Sequence, residues 1–290
     1  YLNAKESKTY TLRLWMDENV GPDTEGVQNK LFNTKVTFSA AYSEKYVIDS
    51  NTLAARGCND SCTDKSRVFQ DDYIVDTATI RFQNTTEAPT NAIASFDESA
   101  KKDGSVKAYI VPNTDDDSYY TMIFQSKKKM SLPEDSSYYF AYFLKLTSIE
   151  GLENVDTSKV TIMGYMFSNT SSLTSLNVSH FNTSKVTNMG SMFSGMTSLT
   201  SLDLSHFETT NVTGMAGMFY MDTNLTTVNL SNFNTSKVTY MSHMFCHTPK
   251  LTTIIYGSHF VKNANLNMEN MFTNCPANKP TDSSWNGAFS

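Results

Sequence analysis

Residues 182–193 read Asn-Thr-Ser-Lys-Val-Thr-Asn-Met-Gly-Ser-Met-Phe, and variants of this stretch recur through the second half of the chain. Its valine returns every 26 residues, as Val160, Val186, Val212 and Val238. A leucine keeps the same period, at Leu173, Leu199, Leu225 and Leu251. A period of this length predicts a solenoid, in which each coil buries its apolar edge against its neighbours. We therefore predict about five stacked coils in a mainly β fold with short helical turns.

The residue types within one repeat indicate the path of the chain. Leu173 and Val178 are the inward-facing residues of a short strand, and such strands pair in parallel about 4.8 Å apart in successive coils. Phe181 ends the strand, and the polar side chains of residues 182–184 can bond local backbone in a turn. Apolar residues then follow at spacings of three, three and one through residues 186–193. This spacing predicts a tight helical return, partly of 3₁₀ type.

Ten of the 15 methionines occupy fixed positions in the repeat. They are Met163, Met166, Met189, Met192, Met215, Met218, Met241, Met244, Met268 and Met271. Methionine sulfur can bind copper, but a spacing that follows the coil favours a stacked core ladder. We predict no cofactor.

Both ends of the repeat region depart from the 26-residue period. Residues 136–146 form a degenerate repeat that is offset by one position, which predicts an N-terminal cap. One residue is inserted near Gly257. The segment after residue 275 is the predicted C-terminal cap, with Trp285 covering the last apolar edge.

Upstream of the repeats, alternating apolar and polar residues predict β-strands. Residues 9–16 and 31–38 form a predicted hairpin around an acidic loop. Further strands are predicted at residues 77–83, 105–111 and 119–125, with turn residues between them. Two strands alone are marginally stable in water, so the hairpin requires a packing partner.

These patterns divide the chain into three predicted parts. Residues 1–42 contain the hairpin, which could belong to a β-sandwich. Residues 43–132 form a β-rich module that includes a loop with Cys58 and Cys62. Residues 133–290 contain the repeats and their two caps.

Composition limits the classes of partner. The 290-residue chain has a formal net charge of −6, which argues against a general nucleic-acid or anionic-membrane surface. No apolar run approaches the roughly 18 residues that a transmembrane helix needs. The chain begins at Tyr1 without a signal peptide, which we interpret as a processed or trimmed form.

The four cysteines fall into two potential pairs. Cys58 and Cys62 share a polar loop, and Cys246 and Cys275 lie at nearly the same phase of adjacent coils. Two disulfides with no cysteine left over are typical of an oxidising, extracellular location. Free buried thiols are the alternative for the second pair.

The repeat resembles a known family of bacterial surface proteins. The motifs are Leu-Asp-Leu-Ser-His-Phe at 202–207, Asp-Thr-Ser-Lys-Val-Thr at 156–161 and Met-Phe-Thr-Asn-Cys-Pro at 271–276. They are similar to the repeats of BspA-like leucine-rich-repeat proteins, over about residues 133–277. The resemblance implies a leucine-rich-repeat segment, secretion or surface display, and an adhesive or ligand-binding role. It implies no catalytic residue.

A shorter resemblance concerns residues 9–40. Tyr-Thr-Leu-Arg-Leu-Trp at 10–15 and Val-Thr-Phe-Ser-Ala at 36–40, with an acidic loop between them, are similar to the last strands of camelysin/TasA-like bacterial fibre proteins. Those proteins build sandwiches that can share strands between chains. The resemblance therefore implies self-association through residues 1–42.

Catalytic and metal-binding constellations are sparse. Three of the five histidines, His180, His206 and His259, share one phase of the coil, which favours a polar stack at a solvent-facing turn. His243 and His247 have the i, i+4 spacing of a zinc pair, and Cys246 lies between them. Because the residues around Cys246 are core positions, we predict no metal site and no enzyme activity.

The predicted binding surface is the polar edge of the strand ladder. Its candidate residues are Ser175, Asn177, Ser179, Ser201, Asp203, Ser205, Thr227, Asn229 and Ser231. Hydroxyls and amides at regular spacing can hydrogen-bond protein backbone or glycans. We expect a secreted or surface-displayed adhesin-like protein with a protein or glycan ligand on a host or neighbouring cell. The alternative hypothesis is a structural subunit of an extracellular fibre or surface layer.

Overall fold

The computed structural model describes residues 76–101, 103–113, 118–286 and 288, all of which belong to one compact unit, Lys45–Ser290. The fold is mainly β, as predicted, and contains almost no helix. The strands are β1 (Thr77–Gln83), β2 (Ala94–Asp97), β3 (Val106–Pro112), β4 (Tyr120–Ser126), β5 (Met130–Ser131), β6 (Ser148–Glu150), β7 (Val155–Asp156), β8 (Ser201–Asp203), β9 (Thr227–Leu230) and β10 (Thr253–Tyr256). Two 3₁₀ helices, Leu152–Asn154 and Ser283–Trp285, complete the elements of this part of the chain.

The upstream module is a five-stranded sheet with the order β2-β3-β4-β1-β6. Strands β2, β3 and β4 pair antiparallel, whereas β1 pairs in parallel with both β4 and β6. Three of these strands match the predicted strands to within one residue at each end. The prediction missed β2, whose side chains are half-buried or exposed.

The repeats pair with one another in parallel, and each pairing advances by one repeat. In the sheet β8-β9-β10, Leu202 lies opposite Val228, and Val228 lies opposite Ile254. A second ladder joins single residues of the same repeats: Ile162 pairs with Asn188, and Asn188 pairs with Gly214. The second ladder thus joins all the successive repeats, and the repeats of β8, β9 and β10 are joined through the strand sheet as well.

The repeated apolar positions form the core. The four valines, the four leucines and eight of the ten repeat methionines named above are fully buried; Met271 is nearly so and Met268 is half-buried. A column of phenylalanines stacks through the repeats, with ring centroids 5.1 to 5.8 Å apart, at Phe140, Phe167, Phe193, Phe219, Phe245 and Phe272. The methionines are thus core residues, as the spacing predicts.

The return segment differs from the prediction of a helix. The amide of Met192 donates to the carbonyl of Met189, as in a 3₁₀ turn, but Ser191 has a φ of 53°. A left-handed residue breaks the run of right-handed turns. The amides of Met189 and Ser191 then donate to carbonyls of the next repeat, so this segment is a set of turns bonded mainly between repeats.

The two segments predicted as caps pack against the ends of the repeat region. The amide of Phe140 donates to the carbonyl of Met166, and the two rings of Phe140 and Phe167 stack. At the other end the indole of Trp285 stacks on Phe260, with centroids 5.6 Å apart, and its N–H donates to the carbonyl of Phe260 at 2.9 Å. The Trp285 side chain is buried.

The boundary predicted at residue 132 does not coincide with a gap in the core. Strand β6 lies after that boundary and pairs with β1, which lies before it. Phe82 packs edge-on against Phe140, with centroids 6.0 Å apart. One buried apolar cluster therefore runs from the upstream sheet through the repeats.

Several predictions fall outside the described residues. They are the hairpin and its fibre-protein resemblance, self-association through residues 1–42, and the loop with Cys58 and Cys62. These stay predictions.

Candidate ligand-binding surfaces

The strand sheet brings together six of the nine predicted binding residues. Ser201 lies opposite Thr227, and Asp203 lies opposite Asn229, in the register of β8 and β9. Ser201 and Asp203 are exposed because the alternation of the strand turns only Leu202 inward. Ser205 and Ser231 follow these strands. Ser175, Asn177 and Ser179 are exposed but precede β8, the first strand of the sheet.

The amides and the carboxylate of this face also support local turns. The side-chain oxygens of Asn177, Asp203 and Asn229 each accept the backbone N–H two residues ahead, at 3.0, 2.9 and 3.1 Å. This is the geometry of an Asx turn. The hydrogen bonds from the Ser205 amide and hydroxyl hold the pKa of Asp203 below its ordinary value. One oxygen of each side chain is thus engaged by the fold.

A column of buried threonines holds the repeats in register next to this face. The hydroxyl of Thr209 donates to the carbonyl of Asn234 at 3.1 Å and accepts the amide of Asn234 at 2.7 Å. Thr157 and Thr183 make the same pair of bonds to the following repeat. The sequence predicted local bonds for this turn. Asn182 does make one, to the Ser184 amide, but the threonine bonds cross between repeats.

A groove lies on the second ladder, and sequence reasoning missed it. Its volume is about 690 Å³. The lining residues are Ser137, Tyr138, Gly164, Tyr165, Asn188, Gly190, Ser191, Gly214, Ala216, Gly217, Tyr220, Tyr240, Ser242 and His243. None of these belongs to the predicted strand face. The sequence does contain a pattern that could have indicated the groove. A small residue follows the first methionine of each turn, at Gly164, Gly190, Ala216 and Ser242.

Tyrosines flank the small residues of this groove, which we call the tyrosine groove. The rings of Tyr138 and Tyr165 stack with centroids 4.6 Å apart at an angle of 5°. Desolvation by burial, followed by the proximity of Tyr165 and Tyr142, raises the pKa of Tyr138. Tyr165 is 41% exposed and Tyr240 is 60% exposed.

Among the described residues, the histidines do not join other His, Cys, Asp or Glu side chains in a group of three or more that could hold a metal ion. The amide nitrogen of Asn270 lies 3.3 Å from Nε2 of His243, and that of Asn274 lies 3.0 Å from Nδ1 of His247. A ring nitrogen of His206 lies 2.7 Å from the carbonyl of Val178. These contacts tie neighbouring repeats together.

For Cys246 and Cys275, the sequence left open a disulfide or a pair of free buried thiols. Both cysteines are buried, and both are free thiols in the structure. Burial, with a smaller effect of the nearby Cys275, raises the pKa of the Cys246 thiol. A protonated, buried thiol reacts slowly, so the pair behaves as part of the apolar core.

The fold defines a class of protein: a repeat protein whose 26-residue units pair in parallel. Two overlapping segments, residues 135–245 and 201–285, match the family described as Mycoplasma protein of unknown function, DUF285. Together they cover just over half of the chain, so the chain belongs to this family. The family is found in BspA-like surface proteins. Neither the curated proteins nor the solved structures include a significant match to the chain.

Across the described residues, the structure contains no helix with the length and apolar character needed to cross a membrane.

Proposed function

We propose that this chain is a non-catalytic binding protein, secreted or displayed at a bacterial cell surface, with an adhesin-like role. Its repeats form a leucine-rich-repeat solenoid, and a host or matrix protein or glycan binds at the strand face. The family match supports this assignment, because the family occurs in BspA-like surface proteins.

One observation carries the proposal. The strand face presents pairs of hydroxyl, amide and carboxylate groups, Ser201 with Thr227 and Asp203 with Asn229, at the same level of successive strands. Strand spacing places such pairs roughly 4.8 Å apart. A regular polar row of this kind can hydrogen-bond an extended ligand, while the buried side of the same strands keeps the row rigid.

Binding to an array of matrix proteins and glycans tests the proposal. We expect saturable binding that the combined variant Asn177→Ala, Asp203→Ala and Asn229→Ala weakens by at least about tenfold, since each residue would lose a direct hydrogen bond. The matched control replaces Lys185, Asn211 and Lys237 by alanine, because these exposed residues are also 26 positions apart but lie off the strand face.

Equal binding by the strand-face variant and the unmodified protein would reject the strand face as the contact surface. Ordered filaments without ligand binding in the same sample would instead support the fibre-subunit hypothesis.

A further inference from the structure

The floor of the tyrosine groove crosses successive repeats. Ser137, Gly164, Gly190, Ala216 and Ser242 occupy the same position in five neighbouring chain segments. Chain segments that pair in parallel lie about 4.8 Å apart, so these five residues extend over roughly 20 Å. A ligand in the groove would therefore run along the stack, across the chain direction of each repeat.

The small floor residues permit close approach by a ligand. A Cβ atom added at Gly164 would meet no described atom nearer than 3.5 Å, the carbonyl oxygen of Gly190. Ala216 already places a Cβ at the equivalent position of its repeat. The backbone conformation of the repeat therefore does not require glycine at this position. The small side chains here make the groove deeper at its floor.

Aromatic rings stand at the two ends of this floor. Tyr165 stacks on Tyr138 of the preceding segment, Tyr220 lines the groove in the second repeat after that of Tyr165, and Tyr240 lines it in the third. Three repeat intervals correspond to roughly 14 Å. Tyr165 and Tyr240 are the two most exposed tyrosines of the groove, and Tyr138 covers one face of the Tyr165 ring.

The lining carries no aspartate, glutamate, lysine or arginine. Its polar groups are hydroxyls, the amide of Asn188 and the imidazole of His243. A nucleic acid requires cations for its phosphates, and an acidic glycan requires them for its carboxylates or sulfates. Neither requirement is met within the groove.

The backbone of the floor is largely committed to contacts between repeats. The amide of Ser191 donates to the carbonyl of Ala216, and the amide of Gly217 donates to that of Ser242, both at 2.8 Å. A peptide that adds as a strand depends on unpaired main-chain groups. The groove therefore offers side chains rather than main chain to its ligand.

We infer that the tyrosine groove binds a linear, neutral oligosaccharide that lies along the stack, with sugar rings on Tyr165 and Tyr240. A pyranose ring has an apolar C–H face and a polar hydroxyl edge. Flat tyrosine rings match the face, and the hydroxyl and amide groups between them match the edge. This site shares no residue with the strand face, so oligosaccharide binding here can be tested independently of ligand binding at the strand face.

Calorimetric titration of the whole chain tests the inference. The probes are neutral linear oligosaccharides of glucose, N-acetylglucosamine and mannose, from disaccharides to hexasaccharides, with a heparin hexasaccharide as the charged comparison. We expect affinity for a neutral series to rise with length until the ligand spans both tyrosines. Tyr165→Ala and Tyr240→Ala should each weaken binding about tenfold or more, as for other stacked rings, whereas Tyr240→Phe should retain it.

The controls separate this site from the strand face. Ile255→Ala removes a side chain of similar exposure, 45%, from the sheet, and the combined strand-face variant changes only that face. Both should bind the oligosaccharide normally. Thermal unfolding checks that every variant is folded at the assay temperature, and the strand-face variant should unfold at a lower temperature because it loses three Asx-turn hydrogen bonds. Absence of binding to every neutral series, tighter binding of heparin, or normal binding by the two tyrosine-to-alanine variants would overturn the inference.

Discussion

Buried polar side chains carry much of the specificity of this fold at the scale of the residue. Thr209 is 1% exposed, yet its hydroxyl satisfies both the amide and the carbonyl of Asn234 in the next repeat. Replacement by valine keeps the volume but leaves two backbone groups of the following repeat without this partner. Each unsatisfied buried polar group costs about 1–3 kcal/mol of folding free energy. The loss of this one hydroxyl is therefore expected to cost more than the loss of a single hydrogen bond.

We predict that Thr209→Val lowers the free energy of unfolding by about 2–4 kcal/mol. Thr213→Val is the matched control, because Thr213 is exposed in the same repeat and donates one bond, to Thr187 at 3.2 Å. That control should change stability by less than about 0.5 kcal/mol. Denaturant unfolding of both variants measures the difference, and equal effects would show that the threonine column is not a structural bridge.

Asp222 is the second informative residue, because its carboxyl is fully buried. One oxygen accepts the amide of Met196 at 2.8 Å. Desolvation raises the pKa of Asp222 well above its ordinary value of 3.8, although the amides of Met196 and Gly195 oppose the shift. The folded state thus holds this proton more tightly than the unfolded state does.

We predict that the protein loses stability with rising pH relative to Asp222→Asn, which cannot ionise. Protonated Asp222 stabilises the folded state fully when the pH is below 3.8, the pKa of the carboxyl in the unfolded chain. This stabilisation decreases as the pH rises above 3.8, and it is lost above the raised pKa of the folded state. Denaturant unfolding from acidic to neutral pH tests this prediction. Asp203→Asn is the control with the opposite sign, because its pKa is lowered in the folded protein. A flat difference between protein and Asp222→Asn would contradict the prediction.

At the scale of the element, close packing of neighbouring repeats limits the size of the side chain that can follow a strand. Strands β9 and β10 run in parallel up to Leu230 and Tyr256, and the next residues are Ser231 and Gly257. A Cβ added at Gly257 would lie 1.8 Å from the carbonyl oxygen of Ser231. The extra residue of the last repeat follows this contact, so glycine allows the chain to turn away at the point of closest approach.

We predict that Gly257→Ala destabilises the protein by about 3 kcal/mol or more, because rigid backbone must move to admit the methyl group. Gly164→Ala is the control, since its nearest neighbour would be at 3.5 Å. Thermal unfolding compares the two variants. Hydrogen exchange should locate the loss of protection in β10 and the C-terminal cap. A Gly257→Ala protein as stable as Gly164→Ala would refute the close-approach argument.

The core is continuous at the scale of the whole molecule. Strand β1 is bonded to β6, and Phe82 contacts both Phe124 and Phe140, so the upstream sheet covers the first end of the repeats. Terminal repeats of such stacks need a cap, because their apolar edge would otherwise face water. The upstream sheet acts as this cap together with residues 136–146.

We predict that the fragment 133–290 does not fold, whereas the fragment 45–290 unfolds in a single cooperative transition. Removal of β1 to β5 exposes Phe140, which is fully buried in the intact unit. Circular dichroism and binding of a hydrophobic dye would distinguish the two fragments. A cooperative, monomeric 133–290 fragment would support the domain boundary that the sequence placed at residue 132.

The sequence by itself determined the period, the core columns and the C-terminal cap. Identical apolar residues every 26 positions are buried together when the repeats stack, and Trp285 is a large apolar residue beyond the last repeat. These are properties of single positions and their spacing, so they can be read without coordinates. The prediction of a helical return failed because left-handed residues such as Ser191 interrupt it.

Tertiary structure alone decided which groups meet. The Thr209 bridge joins residues 25 positions apart, and β1 pairs with β6 through residues such as Thr79 and Ser148. The tyrosine groove is lined by residues from five successive chain segments. Spacing places Thr209 at the same position of its repeat as Thr183, but only the stacking of the repeats selects Asn234 as its partner. The groove arises in the same way, because its width depends on how neighbouring repeats pack and not on any one of them.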